Sequence, residues 1–132
     1  MHTLQLFEII SWVSLPAVMF GGFSFLHWLR GRLNEEQAGL FKAGHAHAGV
    51  LLLMSLLYYI YLGKTTLGWQ LQYVMCSLLL VGIAMQSGGF FWHVFLDKGD
   101  AKTGFTITKC GALLLALAVL MLGYGLIAGH QS

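Results

Sequence analysis

The chain has 132 residues, of which 58% are hydrophobic and only 9% are charged. Soluble domains carry about 25% charged residues. The composition, with a mean hydropathy of +0.75, therefore indicates an integral membrane protein whose main partner is the lipid bilayer. No basic run is interleaved with aromatic residues, which argues against nucleic acid as a partner.

Four apolar stretches are long enough to cross a bilayer, whose hydrocarbon core of about 30 Å takes roughly 20 helical residues. They cover residues 4–29, 43–62, 67–96 and 105–128. The polar links between them are short, which favours antiparallel neighbours. We therefore expect an all-α protein, with residues 1–132 forming a single domain folded as a polytopic four-helix bundle of up-down topology.

Lysine and arginine are distributed unevenly between the two ends of this bundle. The first and third loops and their flanks carry Arg30, Arg32, Lys42, Lys98, Lys102 and Lys109. Only Lys64 lies at the other end. The positive-inside rule then predicts that the first and third loops face the cytoplasm and that both termini are non-cytoplasmic. The expected location is the inner (cytoplasmic) membrane of a bacterium.

Most of the histidines fall at the predicted cytoplasmic end of the spans. His27 closes the first span, His45 and His47 open the second, and His93 closes the third. Histidine is costly in lipid, so this placement indicates a metal or haem site. The two remaining histidines, His2 and His130, flank the termini and are expected to be solvated.

In the second span, helical phase separates the two neighbouring histidines. Successive helix residues are about 100° apart, so His45 and His47 point to nearly opposite sides. One of them can face the bundle interior while the other faces a neighbouring protomer or the lipid headgroups. Near the far end of the span, Tyr58, Tyr59 and Tyr61 predict an aromatic belt at the outer interface.

In the third span, a stripe of small and polar residues leads to a histidine. Gly82, Gln86, Gly89 and His93 lie on one helix face. Glycines there let a flat ligand or another backbone approach closely. Trp92, beside His93, adds aromatic surface suited to a macrocycle or an apolar substrate.

The fourth span is rich in alanine and glycine. Such small surfaces suit close helix packing within a chain or between chains, so we expect a homo-oligomer.

Haem b fits the surroundings of the histidines better than a compact metal does. Zinc, copper or non-haem iron would need three or four imidazoles to converge on one point. Haem needs one or two imidazoles and a large apolar slot. The candidate metal ligands are His47, His93 and His45, and His27 is the expected bystander. The expected cofactor contacts also include Gln86, Gly89 and Trp92.

The segment Lys42-Ala-Gly-His-Ala-His-Ala-Gly-Val resembles the haem-ligand segment of the styrene oxide isomerase family, with His47 in the ligand position. The Gly88-Gly-Phe-Phe segment is also similar. The resemblance implies a four-span protein that forms trimers and holds haem b through a histidine near the start of the second span. It also implies a ferric iron that acts as a Lewis acid on an epoxide oxygen.

The sequence departs from that family at two functional positions. Leu51–Leu53 occupy the place of an asparagine that follows the ligand, and Phe91 takes the place of a tyrosine on the third span. The additional His45 and His93 could complete a six-coordinate haem, which would favour electron transfer.

Four functions follow as alternatives. The first is a haem-dependent, epoxide isomerase-like enzyme acting on an apolar small molecule. The second is a bis-histidine membrane cytochrome that exchanges electrons with a redox partner. The third is a non-haem histidine metal site, and the fourth is an accessory membrane subunit whose histidines are interfacial.

Overall fold

The computed structural model of the chain describes residues 3–96 and 102–129, so His2, Lys98 and His130 lie outside the described residues. Its elements are α1 (Thr3–Ser24), which continues into a π-helical turn (Phe25–Leu29), α2 (Glu35–Leu62), α3 (Trp69–Phe95) and α4 (Lys102–Gly129). Each of the four is long and apolar enough to cross a membrane.

The four helices form the predicted up-down bundle, so the all-α fold class is confirmed. Helices α2 and α3 form the central pair, α1 packs on one side of it and α4 on the other. Within the described ranges, α1 and α4 do not contact each other. The side of the bundle that faces the cytoplasm stays a prediction.

Helix α2 begins well before the apolar span that starts at residue 43, because a capping box fixes its first turn. The Asn34 side chain accepts a hydrogen bond from the Gln37 backbone N–H at 2.8 Å, and Gln37 returns one to the Asn34 N–H at 3.2 Å. The Gln37 amide also donates to the carbonyl of Val94 at 3.2 Å, which ties this end of α2 to α3. His45 and His47 therefore lie within a helix that is anchored at its start.

An aromatic cluster fills the core at the same end of the bundle. Phe41 of α2 lies at its centre, with ring centroids 5.1 Å from Phe25, 5.1 Å from Phe91 and 6.2 Å from Phe95. Phe41 thereby joins the end of α1, the start of α2 and the end of α3. Such ring pairs add about 0.5–1.5 kcal/mol each beyond the area they bury.

The opposite half of the bundle buries tyrosines that were expected at the membrane interface. The predicted aromatic belt is wrong for Tyr58 and Tyr59, which are 5% and 0% exposed, whereas Tyr61 is 48% exposed. The Tyr58 hydroxyl donates to the carbonyl of Ala118 at 2.8 Å. The Tyr59 hydroxyl lies 3.3 Å from the Ser11 hydroxyl. Both rings can enter the core because their hydroxyl groups find partners there.

Ser55 is the centre of this buried hydroxyl network. Its Oγ lies 2.8 Å from Ser11 Oγ and 2.7 Å from the carbonyl oxygen of Leu52. Because both serines are fully buried, removing the Ser55 hydroxyl leaves Ser11 with one hydrogen-bond partner fewer. We expect Ser55→Ala to lower the free energy of unfolding by about 1 kcal/mol, measured by denaturation with sodium dodecyl sulfate in mixed micelles.

Ser87→Ala is the matched control for this substitution. Ser87 is 5% exposed, and within the part of the chain that the structure describes its hydroxyl has no hydrogen-bond partner. Removing an unsatisfied buried hydroxyl costs no hydrogen bond, so Ser87→Ala is expected to leave stability unchanged or to raise it. Equal destabilisation by the two substitutions would contradict the role assigned to Ser55.

Helices α3 and α4 approach each other closely, and this approach depends on glycines from both helices. A Cβ atom on Gly82 would lie 2.9 Å from the Leu115 side chain, and one on Gly111 would lie 2.8 Å from the Cα of Gln86. A Cβ on Gly104 would lie 2.7 Å from the carbonyl oxygen of Gly89. Real Cβ contacts are essentially never this short, so these positions admit only glycine at the present helix separation.

Candidate functional site

His47 has its imidazole fixed in an orientation suited to metal ligation. Its Nδ1 lies 2.8 Å from the carbonyl oxygen of Ala43, one helical turn earlier. A carbonyl only accepts hydrogen bonds, so the neutral ring carries its proton on Nδ1 and keeps a lone pair on Nε2. Metal-bound histidines in proteins commonly show this arrangement, with the second nitrogen bonded to a carbonyl.

The His47 ring lies at the edge of the bundle, where α2 meets α3. It is half-buried, and its centroid is 5.3 Å from the ring of Phe90. Met54 follows seven residues later, about 20° away on the helix face, and is 55% exposed. Val50, one turn from His47, is 58% exposed. The free Nε2 therefore belongs to a side of α2 that presents apolar surface outward.

His45 lies on the opposite side of α2, against α1. A Cβ atom on Gly22 would lie 2.9 Å from His45 Nε2, and one on Gly21 would lie 3.6 Å from Nδ1. The His45 ring also stacks near Phe41, with 6.5 Å between centroids. The glycine pair of α1 thus makes the space for this imidazole. The two histidines diverge, as the helical phase predicts.

His93 is packed against α4. Its ring centroid is 5.1 Å from that of Phe105, and a Cβ atom on Gly104 would lie 2.8 Å from the Cβ of His93. Gln86 and Gly89 share this face, with their backbones against Gly111 and Gly104. The glycine stripe of α3 was predicted to let a flat ligand or another backbone approach closely, and it is the backbone of α4 that does so.

His27 and Trp92 lie on outer surfaces of the bundle. The His27 ring is exposed, stacks on Phe23 with 4.0 Å between centroids, and has Nδ1 3.0 Å from the Phe23 carbonyl oxygen. Trp92 is 43% exposed. His27 has the same carbonyl-bonded geometry as His47, but it belongs to a different helix and a different face.

The predicted ligands are therefore separated, because each histidine packs against different neighbours. His45 faces α1, His47 contacts Phe90 of α3, and His93 contacts Phe105 of α4. Across residues 3–96 and 102–129, no three histidine, cysteine, aspartate or glutamate side chains form a group that could hold a metal ion. Each of these histidines therefore stands apart from the other two in the described structure.

Two features of the structure are absent from the sequence-based predictions. One is the buried hydroxyl network of Ser11, Ser55 and Tyr59. The other is a cleft between α1 and α2 in which Lys42 and His45 accompany aromatic side chains. The hydroxyl network could have been suspected from the presence of a serine in each of two apolar spans. The cleft depends on how α1 packs against α2, which cannot be predicted from a local sequence pattern.

Comparisons with protein-family models, with curated proteins and with solved structures gave no match, so the site is interpreted from its own geometry.

Proposed function

We propose that the protein binds haem b through His47 as its single protein ligand, and that the haem would supply a Lewis acid for an oxygen atom of an apolar small molecule. The observation that carries this proposal is the hydrogen bond from His47 Nδ1 to the Ala43 carbonyl, which leaves Nε2 as a ligand. Haem supplies four ring nitrogens of its own, so a single imidazole is enough to hold its iron.

The surface beside His47 is suited to a large apolar ring. Ala46, next to His47, is small and exposed, whereas Gly44 and Ala48 are buried and Gly44 packs against Phe90. Val50 and Met54 add exposed apolar side chains on the His47 side of the helix. Ala46 leaves room for a flat macrocycle beside the imidazole, and the apolar side chains would exclude water from it. Lys109, exposed on α4, is among the cations that could pair with the propionates.

A bis-histidine site within one chain has less support. His45 is enclosed between α2 and the glycines of α1, and His93 is directed at α4. Either ring would have to leave its present neighbours to reach the iron held by His47. Ligation by His47 alone is therefore the simpler arrangement, in which haem would supply Lewis acid chemistry and not electron transfer.

When bound in this way, ferric haem supplies a Lewis acid that can accept an oxygen lone pair, as the resemblance to styrene oxide isomerases suggests. The chain's own residues hold the iron and provide an apolar entrance for an epoxide. Phe91 packs against Phe41, with 5.1 Å between centroids, and has no hydroxyl group. Phe91 therefore has a packing role, and Lewis acid chemistry on the epoxide oxygen would come from the haem held by His47.

A second copy of the chain is the proposed cover for this site. The His47 edge of α2 presents exposed apolar residues, including Val50, Leu53, Met54 and Leu57. A haem placed there would have one protein face and would otherwise contact lipid. A homo-oligomer with the haem at or near the contact between copies would enclose the macrocycle.

Haem titration tests the proposal directly. Purified protein in mild detergent is titrated with ferric haem b while the Soret absorption is recorded. We expect saturation at one haem per chain in the wild type, in His45→Ala and in His93→Ala. Loss of binding in His45→Ala or His93→Ala, with helical content retained, would contradict the choice of ligand. The haem-loaded protein is then expected to convert an apolar epoxide to its carbonyl isomer without added oxidant or reductant.

A further inference from the structure

A cleft of about 260 Å³ opens between α1 and α2, on the opposite side of α2 from His47. The end of α1 and its π-helical turn contribute Gly22, Phe25 and Leu26. Helix α2 contributes Phe41, Lys42 and His45. The lining thus combines one cation and one imidazole with apolar and aromatic walls.

The polar groups of the cleft make only weak contacts with the described residues around them. The ammonium of Lys42 lies 5.5 Å from the centroid of the Phe25 ring, above its face. Within the described ranges, Lys42 forms no ion pair and the ring nitrogens of His45 have no hydrogen bond. A cation–π contact at an exposed site is weak. An anion could therefore bind to both Lys42 and His45 without breaking a strong interaction.

We propose that this cleft binds the phosphate headgroup of an anionic membrane lipid. Lys42 supplies the charge, a ring nitrogen of His45 supplies a hydrogen bond, and Leu26, which is 62% exposed, contacts the first part of the acyl chains. The cleft is smaller than the pockets that enclose whole ligands, which span about 300–1,000 Å³. A headgroup fits inside while the lipid tails stay in the bilayer.

The position of the cleft agrees with such an occupant. Arg30 and Arg32 follow the π-helical turn directly and are exposed, so the cleft opens at the basic end of the bundle. Basic pockets between membrane helices at this level are recognised sites for acidic headgroups. Gly22 makes room for the His45 ring at this position, because a Cβ there would lie 2.9 Å from Nε2.

The test measures lipid binding to the full chain in detergent, using native mass spectrometry with phosphatidylglycerol and phosphatidylcholine of identical acyl chains. We expect the wild type to retain phosphatidylglycerol selectively. One lysine near a membrane surface contributes about 1 kcal/mol, so Lys42→Gln should weaken this binding about fivefold. His45→Gln should weaken it in the same direction.

Lys64→Gln is the matched control. Lys64 is also exposed and lies 4.8 Å from the centroid of the Tyr61 ring, but it is at the other end of α2 and lines no part of the cleft. Its replacement should leave binding unchanged. An equal loss in Lys64→Gln, no loss in Lys42→Gln, or equal retention of phosphatidylcholine would overturn the proposal. Displacement of the lipid by millimolar inorganic phosphate would assign the cleft to a free anion and overturn the lipid assignment.

Measuring haem binding shows whether the lipid proposal or the proposed function has failed, because the cleft and His47 lie on opposite sides of α2. Lys42→Gln should bind haem as the wild type does. If His45→Gln does not fold, the comparison of Lys42→Gln with Lys64→Gln decides the matter.

Discussion

Replacing His47 with alanine is expected to abolish haem binding. The physical reason is that, among the described residues, His47 is the only histidine on its side of α2, and its Nδ1 is bonded to a carbonyl so that Nε2 keeps a lone pair. The measurement is the same haem titration, followed by Soret absorption. His45→Ala and His93→Ala should bind as the wild type does, since their rings pack against α1 and α4.

A chemical rescue distinguishes loss of a ligand from loss of the fold. His47→Gly leaves space where the imidazole was, and free imidazole can then coordinate the iron in its place. We expect added imidazole to restore haem binding to His47→Gly, with helical content unchanged by circular dichroism. Full haem occupancy in His47→Ala, or a failure of imidazole to restore any binding to folded His47→Gly, would argue against His47 as the ligand.

Adding a single methyl group to Gly89 is expected to destabilise the bundle by about 1–3 kcal/mol. The Cβ of an alanine there would lie 2.5 Å from the carbonyl oxygen of Gly104 and 2.7 Å from the backbone nitrogen of Thr108. Both are backbone atoms, so α3 and α4 must move apart as whole helices. The loss is measured as the change in unfolding free energy on denaturation by sodium dodecyl sulfate.

The neighbouring glycine provides the control for Gly89→Ala. Gly88 has no atom within 4 Å of the position that a Cβ would take. Alanine is the better helix former by up to about 1 kcal/mol. Gly88→Ala should therefore leave stability unchanged or raise it. If Gly88→Ala and Gly89→Ala behave alike, close packing of α3 on α4 is not what the glycine stripe provides.

The sequence predicts the four spans well because each is a long apolar stretch between short polar links. It predicts the start of α2 poorly, since hydropathy marks residue 43 whereas the capping box of Asn34 and Gln37 starts the helix at Glu35. The apolar span begins where the chain enters lipid, whereas the helix begins where backbone hydrogen bonding begins. These are different physical boundaries.

Side-chain direction within one helix is predictable, but the neighbour it meets is not. The divergence of His45 and His47 follows from helical phase alone. The docking of whole helices decides that His45 packs against Gly22 and that His93 packs against Gly104. Tyr58 and Tyr59 were misplaced for the same reason, because tyrosine near a helix end suits both an interface and a core with hydrogen-bond partners.

The spin state of the ferric haem complex is the most direct test of a single histidine ligand with an open axial position. The wild type is loaded with haem and its ferric form is examined by electron paramagnetic resonance before and after addition of imidazole. We expect a high-spin signal that converts to low-spin when imidazole fills the open position. A low-spin signal at the outset, unchanged by imidazole, would mean that two protein side chains already hold the iron, and it would contradict the proposed site.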